Sequence, residues 1–233
     1  MKKVFAIATL LFAMVSTAYA QNNVYLQQIG SSSTITLEEI GSNNNMGTQT
    51  TNNLSQGDNN TITVVQTGNS NIGNFTIVGS SNVYASTITG DSNIVNTVCG
   101  TNSVTCSSST VIETISGNVN ILTQSIQGQN INSTTVITGN NNQITTNFSA
   151  NNSTNSINVN GSNNKVNSTQ QTTGLSGSTL DLGIVGNGNN VSTFQGGTVD
   201  SNIKMQVTGS GNNVTVTATN GNIPNTIGTI QPR

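Results

Sequence analysis

The stretch Gly57-Asp-Asn-Asn-Thr-Ile-Thr-Val-Val-Gln-Thr-Gly68 contains the pattern that decides the fold of this chain. Its two glycines lie eleven residues apart, and an asparagine follows the first glycine by three positions. The residues after this asparagine alternate between two kinds, which is typical of a β-strand because successive side chains of a strand point to opposite faces. One face is mostly threonine, and the other carries Asn60, Ile62, Val64 and Gln66.

The same glycine spacing runs through most of the chain and predicts one small structural unit repeated many times. Glycine suits a corner between two strands, because its backbone adopts positive φ angles without a steric penalty. We therefore predict that these glycines mark the corners of a repeat. The predicted corner positions are Gly30, Gly41, Gly57, Gly68, Gly79, Gly90, Gly117, Gly128, Gly139 and Gly161.

A strand of about six residues cannot bury one face alone, but two such strands placed back to back can. Together they form one coil of about 22 residues, and such coils stack through parallel main-chain hydrogen bonds. We therefore predict an all-β fold, a β-solenoid with two short strands per turn, about 22 residues per coil and parallel stacking. A sandwich of short strands is the alternative, but it does not require a constant eleven-residue step.

Asparagine and glutamine recur on the face that is predicted to point inwards. A buried amide without a partner is costly, but amides at the same position of successive coils can bond the copies above and below. We therefore predict an inward amide ladder that stabilises the stack. Its predicted members are Gln28, Asn60, Gln66, Asn71, Asn82, Asn93, Asn120, Gln124, Asn142 and Asn164.

The eleven-residue step is interrupted twice. Gly41 and Gly57 are 16 residues apart, and Gly90 and Gly117 are 27 apart, so each interval holds five residues more than the period requires. We interpret each excess as a loop that protrudes from an otherwise regular stack. Beyond Gly161 the spacing loosens to mostly 12 or 13 residues.

The first twenty residues have the three parts of a secretory signal peptide. Lys2 and Lys3 form a positive start, an apolar run follows, and Ala18-Tyr19-Ala20 is a small-x-small cleavage site. The apolar run of about a dozen residues is too short for a membrane anchor, which needs roughly 20. We expect bacterial-type export, a secreted or cell-surface mature chain that starts at Gln21, and no membrane insertion after the signal is removed.

The predicted organisation is therefore a signal peptide over residues 1–20 and one solenoid domain over residues 21–233. The domain is expected to be regular over 21–161 and irregular over 162–233. Disorder is the alternative for a chain of low apolar content. It is disfavoured here because charged residues make up 5% of the chain and prolines number two, whereas disordered chains are usually rich in both.

The composition argues against several functional classes. Loss of Lys2 and Lys3 leaves three basic and seven acidic residues, so the basic patch that nucleic acid binding requires is missing. The chain has no histidine to act as a base. Adjacent Glu38 and Glu39 would point to opposite faces of a strand. We expect neither an enzyme nor a bound cofactor or metal.

Three features remain for interpretation, and two of them are single charges. Asp58 and Asp91 directly follow predicted corner glycines, and we interpret them as charges that interrupt stacking and aid solubility. The third feature is the pair Cys99 and Cys106, which lies at the second interruption. Because the chain is predicted to be exported, a disulfide is favoured. Zinc binding is the alternative, but two cysteines without histidine do not complete a tetrahedral site.

The segment Gln66-Thr-Gly68-Asn-Ser-Asn71-Ile-Gly73 resembles the curlin repeat, whose signature is Gln-x-Gly-x-x-Asn-x-Ala. Gln28-Ile-Gly30 and Gln127-Gly128 match it in part. The resemblance implies a secreted bacterial subunit with 22-residue repeats that form a two-strand β-solenoid and polymerise as functional amyloid in a biofilm matrix. Threonine, isoleucine or valine mostly replace the regular serine and second glutamine of the family.

The sequence thus predicts a secreted structural protein, a curlin-like fibre or functional-amyloid subunit that assembles by strand stacking at its ends. Its expected partners are further copies of itself, other fibre subunits or a surface receptor. One alternative is a surface adhesin or viral fibre element that displays its loops. A second is an ice-binding solenoid, suggested by Thr34-x-Thr36 and Thr61-x-Thr63, although threonine is also a favoured strand residue.

Overall fold

The computed structural model is an all-β solenoid built from two parallel sheets, which confirms the predicted fold class. Each turn of the chain contributes a strand to one sheet, passes a corner and contributes a strand to the other. The structure describes residues 21–48, 50, 52–128, 131–149, 154–172, 179–197, 202–219 and 226–230. The predicted signal peptide and the last three residues lie outside these ranges.

The first sheet has eleven strands. At its N-terminal end two levels are split into short pairs, and each later level is one strand. Its strands are β1 (Asn23–Val24), β2 (Leu26–Ile29), β4 (Asn45–Met46), β5 (Asn53–Gln56), β7 (Ile72–Val78), β9 (Ile94–Cys99), β11 (Ile121–Ile126), β13 (Gln143–Phe148), β15 (Lys165–Thr172), β17 (Asn190–Gly197) and β19 (Asn213–Thr219).

The second sheet has nine strands and is uninterrupted from end to end. Each strand pairs in parallel with the strand one turn before it and the strand one turn after it. Its strands are β3 (Thr34–Ile40), β6 (Thr61–Thr67), β8 (Val83–Thr89), β10 (Thr110–Ser116), β12 (Asn132–Thr138), β14 (Thr154–Asn160), β16 (Thr179–Val185), β18 (Asn202–Thr208) and β20 (Thr226–Ile230).

The core lies between the two sheets, where alternate side chains of each strand are buried. β10 illustrates the pattern, since Val111, Glu113 and Ile115 are buried while Ile112 and Thr114 are exposed. Strands with one buried face cannot slip by one residue without turning that face to water. The alternation therefore fixes the register along the stack, which in the second sheet shifts only between β18 and β20, after Met205.

The two insertions lie on the same side of the solenoid, in the eleven-stranded sheet or directly after it. The first separates β4 from β5, so this level of the sheet is interrupted between Met46 and Asn53. The second follows β9, where residues 100–105 precede the next corner. The rest of the stack continues above and below each insertion, because the flanking strands keep their register.

Candidate functional site

The corners are built from a four-residue turn that starts with glycine. All ten predicted corner glycines have positive φ angles, between 107° and 141°. A side chain is excluded there by the next coil, since a Cβ on Gly139 would collide with the carbonyl oxygen of Gly161. In the turns that the structure describes in full, the third residue is also left-handed, for example Asn141 at φ 56°. Glycine thus marks the place where coils approach most closely.

The fourth residue of each turn forms the inner asparagine ladder on one edge of the solenoid. Asn120 shows its chemistry: its Nδ2 donates to Asn93 Oδ1 at 3.0 Å and to Gly139 O at 2.8 Å. Its Oδ1 accepts from the backbone and side-chain nitrogens of Asn142. The nitrogen and the oxygen of the Asn120 side-chain amide therefore both have hydrogen-bond partners, although the residue is buried. The ladder comprises Asn44, Asn71, Asn93, Asn120, Asn142, Asn164, Asn189 and Asn212.

A second, shorter ladder lies on the opposite edge, so the predicted set divides in two. Asn60 and Asn82 belong here, and Asn82 Nδ2 donates to Asn60 Oδ1 at 3.1 Å. Serine takes the asparagine position at both ends, where Ser33 Oγ accepts from the Asn60 N–H and the Ser109 N–H donates to Asn82 Oδ1. Ile131 occupies the next position and is buried. The ladder on this edge therefore does not continue to Ile131, which has no side-chain amide.

The predicted glutamines do not stack as amides, which corrects that part of the ladder. Gln28 is exposed because β2 belongs to the terminal level, where nothing covers it among the described residues. Gln66 is buried, and its Nε2 donates to Asn45 O at 3.4 Å. Gln124 is buried too, but it bonds across the core to the facing sheet. Their neighbours in register are not amides, so no glutamine ladder can form.

An outer ladder runs along the exposed side of the corners, through the residue directly after each glycine. Asn118 Oδ1 accepts from the Asp91 N–H at 2.7 Å, and the Asn118 N–H donates to Asn140 Oδ1 at 2.8 Å. Asp91 accepts in the same way from Asn69. The interpretation of the corner aspartates as interruptions is therefore wrong. They continue the ladder because a carboxylate oxygen accepts the N–H as well as an amide oxygen does.

Asp58 performs the same role on the opposite edge. Its Oδ1 accepts from the backbone N–H and the hydroxyl of Ser31, at 2.7 and 2.9 Å. These two bonds, the backbone bond first, lower the pKa of Asp58 from its ordinary value because they favour the charged form. Asp58 therefore stays ionised while it links two coils.

A polar cluster inside the core was not anticipated, and Glu113 is its centre. Glu113 Oε2 accepts from the Tyr84 hydroxyl at 2.8 Å, and Oε1 accepts from Gln124 Nε2 at 3.0 Å and from the Thr97 hydroxyl. Burial raises the pKa of Glu113 and outweighs the hydrogen bonds to Thr97 and Tyr84, which lower it. The sequence contained a signal for the burial of Glu113. In the alternating pattern of β10, Glu113 falls between Val111 and Ile115 on the inward face.

The structure places a disulfide between Cys99 and Cys106, whose Cα atoms are 5.4 Å apart. Cys106 also occupies a corner position that glycine holds elsewhere. Its N–H donates to Val78 O at 2.8 Å, and its carbonyl oxygen accepts from Asn82 Nδ2 at 2.7 Å. The disulfide thus closes the loop of residues 100–105 at the point where the chain rejoins the stack. Val104 in this loop is exposed.

In the described part of the chain, both ends of the solenoid are sheet edges. At the N-terminal end, β3 pairs with β6 and has no strand on its other side among the described residues. Thr34 N–H donates to Asn60 O, and Ile40 O accepts from the Gly68 N–H. Backbone groups alternate in direction along a parallel strand, so those of the odd-numbered residues between them face the open side. Val24, Ile29 and Ile40 at this end are exposed by 40% or more.

Glu38 and Glu39 lie on opposite faces of β3, as their adjacency predicts. Glu39 is on the inward face, where its Oε1 is buried and has no hydrogen-bond partner in the described part of the chain. Burial raises the pKa of Glu39 to about 7. This carboxyl is therefore a titratable group at the open end of the stack.

No group of three or more metal-ligating side chains is found in the part of the chain that the structure describes. Within the same ranges there is no helix long and apolar enough to cross a membrane. Comparisons with protein-family models, with curated proteins and with solved structures found no match to this chain.

Proposed function

We propose that the mature chain is a secreted structural subunit that assembles end to end into a fibre of an extracellular matrix or a cell-surface appendage. The observation that supports this most is the open edge of β3, with backbone groups that face away from the stack. Such an edge is a template for another strand. The other end offers the same kind of edge through β19 and β20.

The internal stack resembles the contact that assembly would require. Each coil is held by parallel backbone bonds and by ladders that repeat from level to level. A second copy would continue both. At the N-terminal end, Asn22 precedes Asn44 in the asparagine ladder, since Asn22 Oδ1 accepts from the Asn44 N–H at 3.0 Å. At the other end, the ladder finishes at Asn212. Asn22 of one copy and Asn212 of the next thus have the same place in the repeat. Stacked identical coils are the arrangement of cross-β fibres.

Assembly can be tested with purified residues 21–233. Thioflavin binding and electron microscopy over days, with and without preformed seeds, should show fibres, and fibre diffraction should show a reflection near ~4.8 Å along the fibre axis. A chain that stays monomeric through repeated seeding would contradict the proposal.

A matched pair of variants locates the contact at β3. Leu37→Lys places a charge on the inward face of the edge strand, where Leu37 packs against the core, and Thr36→Lys places the same charge on the exposed face. Inward charges on edge strands oppose edge-to-edge pairing. We expect the Leu37 variant to lose seeded growth and the Thr36 variant to keep it. Equal growth of both would argue against β3 as the contact.

The second candidate function is a surface adhesin or viral fibre element, and the disulfide-closed loop favours it. Residues 102–105 are exposed, and Cys99 and Cys106 hold the loop at both ends. A pre-organised loop loses less entropy on binding a receptor. Binding to cell surfaces that is lost when residues 101–105 become Gly-Ser repeats, in a protein that remains monomeric, would favour this role.

A further inference from the structure

Glu39 stands in a column of inward side chains that is uncharged in every later level and apolar from Ile88 to Val207. The register runs from Glu39 to Gln66, and then to Ile88, Ile115, Ile137, Val159, Ile184 and Val207. These residues from Gln66 onwards are exposed by 1% or less. Glu39 is only partly buried because it lies in the terminal level. A strand added beneath β3 would therefore place the Glu39 carboxyl in the same buried column.

Among the described residues of the last strand at the other end, β20, none carries a charge that could neutralise that carboxyl, and Arg233 lies outside the described residues. Ile230 of β20 follows Val207 in the register, so it would lie beneath Glu39 of a stacked copy. Neither β6 nor β20 contains an ionisable residue, and the same is true of β1, β2 and β4. Tyr25 is the titratable side chain between β1 and β2, Glu38 points to the opposite face, and the corner after β3 carries no charge. Within the described part of the chain, a charged Glu39 would therefore be buried without a counter-ion.

The charge distribution favours a polar, head-to-tail arrangement. Residues 21–164 contain five acidic residues and no lysine or arginine, whereas residues 165–233 contain Lys165, Lys204 and Arg233 with two acidic residues. Two N-terminal ends would repel each other, and an N-terminal end attracts a C-terminal one. The occupant of the N-terminal end is thus the opposite end of a second copy.

We propose that the N-terminal end of the solenoid is a pH-dependent binding surface for the C-terminal end of a second copy. The second copy can cover this end only when the Glu39 carboxyl is neutral. This inference rests on the proposed self-assembly. The inward Glu39 acts as a removable barrier to edge pairing, because an unpaired buried charge is far more costly than a neutral carboxyl.

The direction of the pH effect follows from proton linkage. In the free end the pKa of Glu39 is about 7, and covering the end raises it further because burial disfavours the charged form. Assembly therefore takes up a proton and weakens as the pH rises through 7. The neutral fraction falls from nine-tenths at about pH 6 to one-tenth at about pH 8, so the critical concentration should rise about tenfold over that interval.

The experiment compares the critical concentration for seeded growth at pH 6 and pH 8 for the mature protein and three variants. Glu39→Gln should assemble equally well at both pH values. Glu38→Gln is the matched control, since it removes the same charge from the same strand on the exposed face, and it should keep the tenfold ratio. Glu113→Gln should also keep the ratio, because Glu113 is inside the stack and is already covered. Circular dichroism of the unassembled proteins checks that each variant is folded.

The outcomes separate the two proposals. If the mature protein forms no fibres at either pH with seeds, the proposed self-assembly is wrong, and so is its proposed dependence on Glu39. If fibres form with equal critical concentrations at both pH values, or if Glu39→Gln keeps the tenfold ratio, the proposed control by Glu39 is wrong and self-assembly stands. A tenfold ratio of critical concentrations that disappears in Glu39→Gln and persists in Glu38→Gln supports the pH-dependent binding surface.

Discussion

Asn142 Nδ2 lies 3.0 Å from Asn120 Oδ1, and the two asparagines are 22 residues apart in the chain. The same bond joins Asn93 to Asn71 over 22 residues, and it joins Asn120 to Asn93 over 27, across an insertion. The ladder thus tolerates extra residues between its members because the loop takes them up outside the stack. What the fold requires is the asparagine in its place, not a constant chain length.

Replacement of a mid-ladder asparagine should be strongly destabilising. In Asn120→Ala the Asn142 N–H, one Asn142 Nδ2 hydrogen and the Gly139 carbonyl lose their buried partner. Buried groups left unpaired cost about 1–3 kcal/mol each, so we expect the free energy of unfolding to fall by about 3–5 kcal/mol. Urea unfolding measures the change. Asn118→Ala, in the exposed outer ladder, is the control and should cost about 1 kcal/mol or less, because water replaces its bonds.

The corner glycines should differ in tolerance according to their place in the turn. Gly139→Ala would put a methyl group against the Gly161 carbonyl at a φ of 119°, and we expect it to prevent folding or to lower the midpoint of urea unfolding sharply. Gly188→Asn is the control, since Gly188 has φ 66° with open space around its Cα and Asn163 holds the same turn position in the preceding coil. It should leave the midpoint almost unchanged. Equal effects would show that coil contact does not select glycine.

Several of these features could be predicted from the sequence and others could not, for physical reasons. The Gly-x-x-Asn spacing identified Asn120 and Asn142 because both the turn and the ladder require particular residue types at fixed positions. Cys106 was missed as a corner because its φ is not positive, so this position does not require glycine. The exposure of Gln28 depends on its being in the last level, which periodicity does not reveal.

Val119 should be a site where stability can be gained. It is a β-branched residue at φ 59°, in the turn position that Ser92 and Asn141 hold in the neighbouring coils. Left-handed backbone costs most residues about 1–2 kcal/mol, and asparagine tolerates it better. Val119→Asn should therefore raise the free energy of unfolding by about 1 kcal/mol. Val83→Asn, at an exposed strand position, is the control and should not stabilise the protein, because valine is favoured in strands.

Loss of the disulfide should destabilise the solenoid moderately. Cys99 and Cys106 are seven residues apart, and closing so small a loop in the unfolded chain is worth about 2.5 kcal/mol by loop entropy. We expect the double variant Cys99→Ser, Cys106→Ser to lose about that amount in urea unfolding. Reduction of the unaltered protein should give the same loss, and reduction of the double variant should change nothing. A larger loss in the variant than on reduction would mean that serine does not fit the corner.

The buried Glu113 should make stability depend on pH, with a sign opposite to that of a salt-bridged carboxylate. Its pKa is raised in the folded protein above the ordinary 4.5, so the folded state binds more protons than the unfolded state at pH values between the two pKa values. The stabilisation is complete below pH 4.5 and is lost as the pH rises towards the folded pKa. Glu113→Gln keeps the size and the acceptor oxygen and carries no charge. We expect it to make the slope shallower and to be more stable than the unaltered protein at pH 8. Urea unfolding at pH 5 and pH 8 measures both effects, and Glu38→Gln, on the exposed face of β3, should leave the slope in place. Glu39, with a pKa of about 7, contributes a slope of the same sign that remains in this variant. A slope as steep in Glu113→Gln as in the unaltered protein would therefore contradict the prediction.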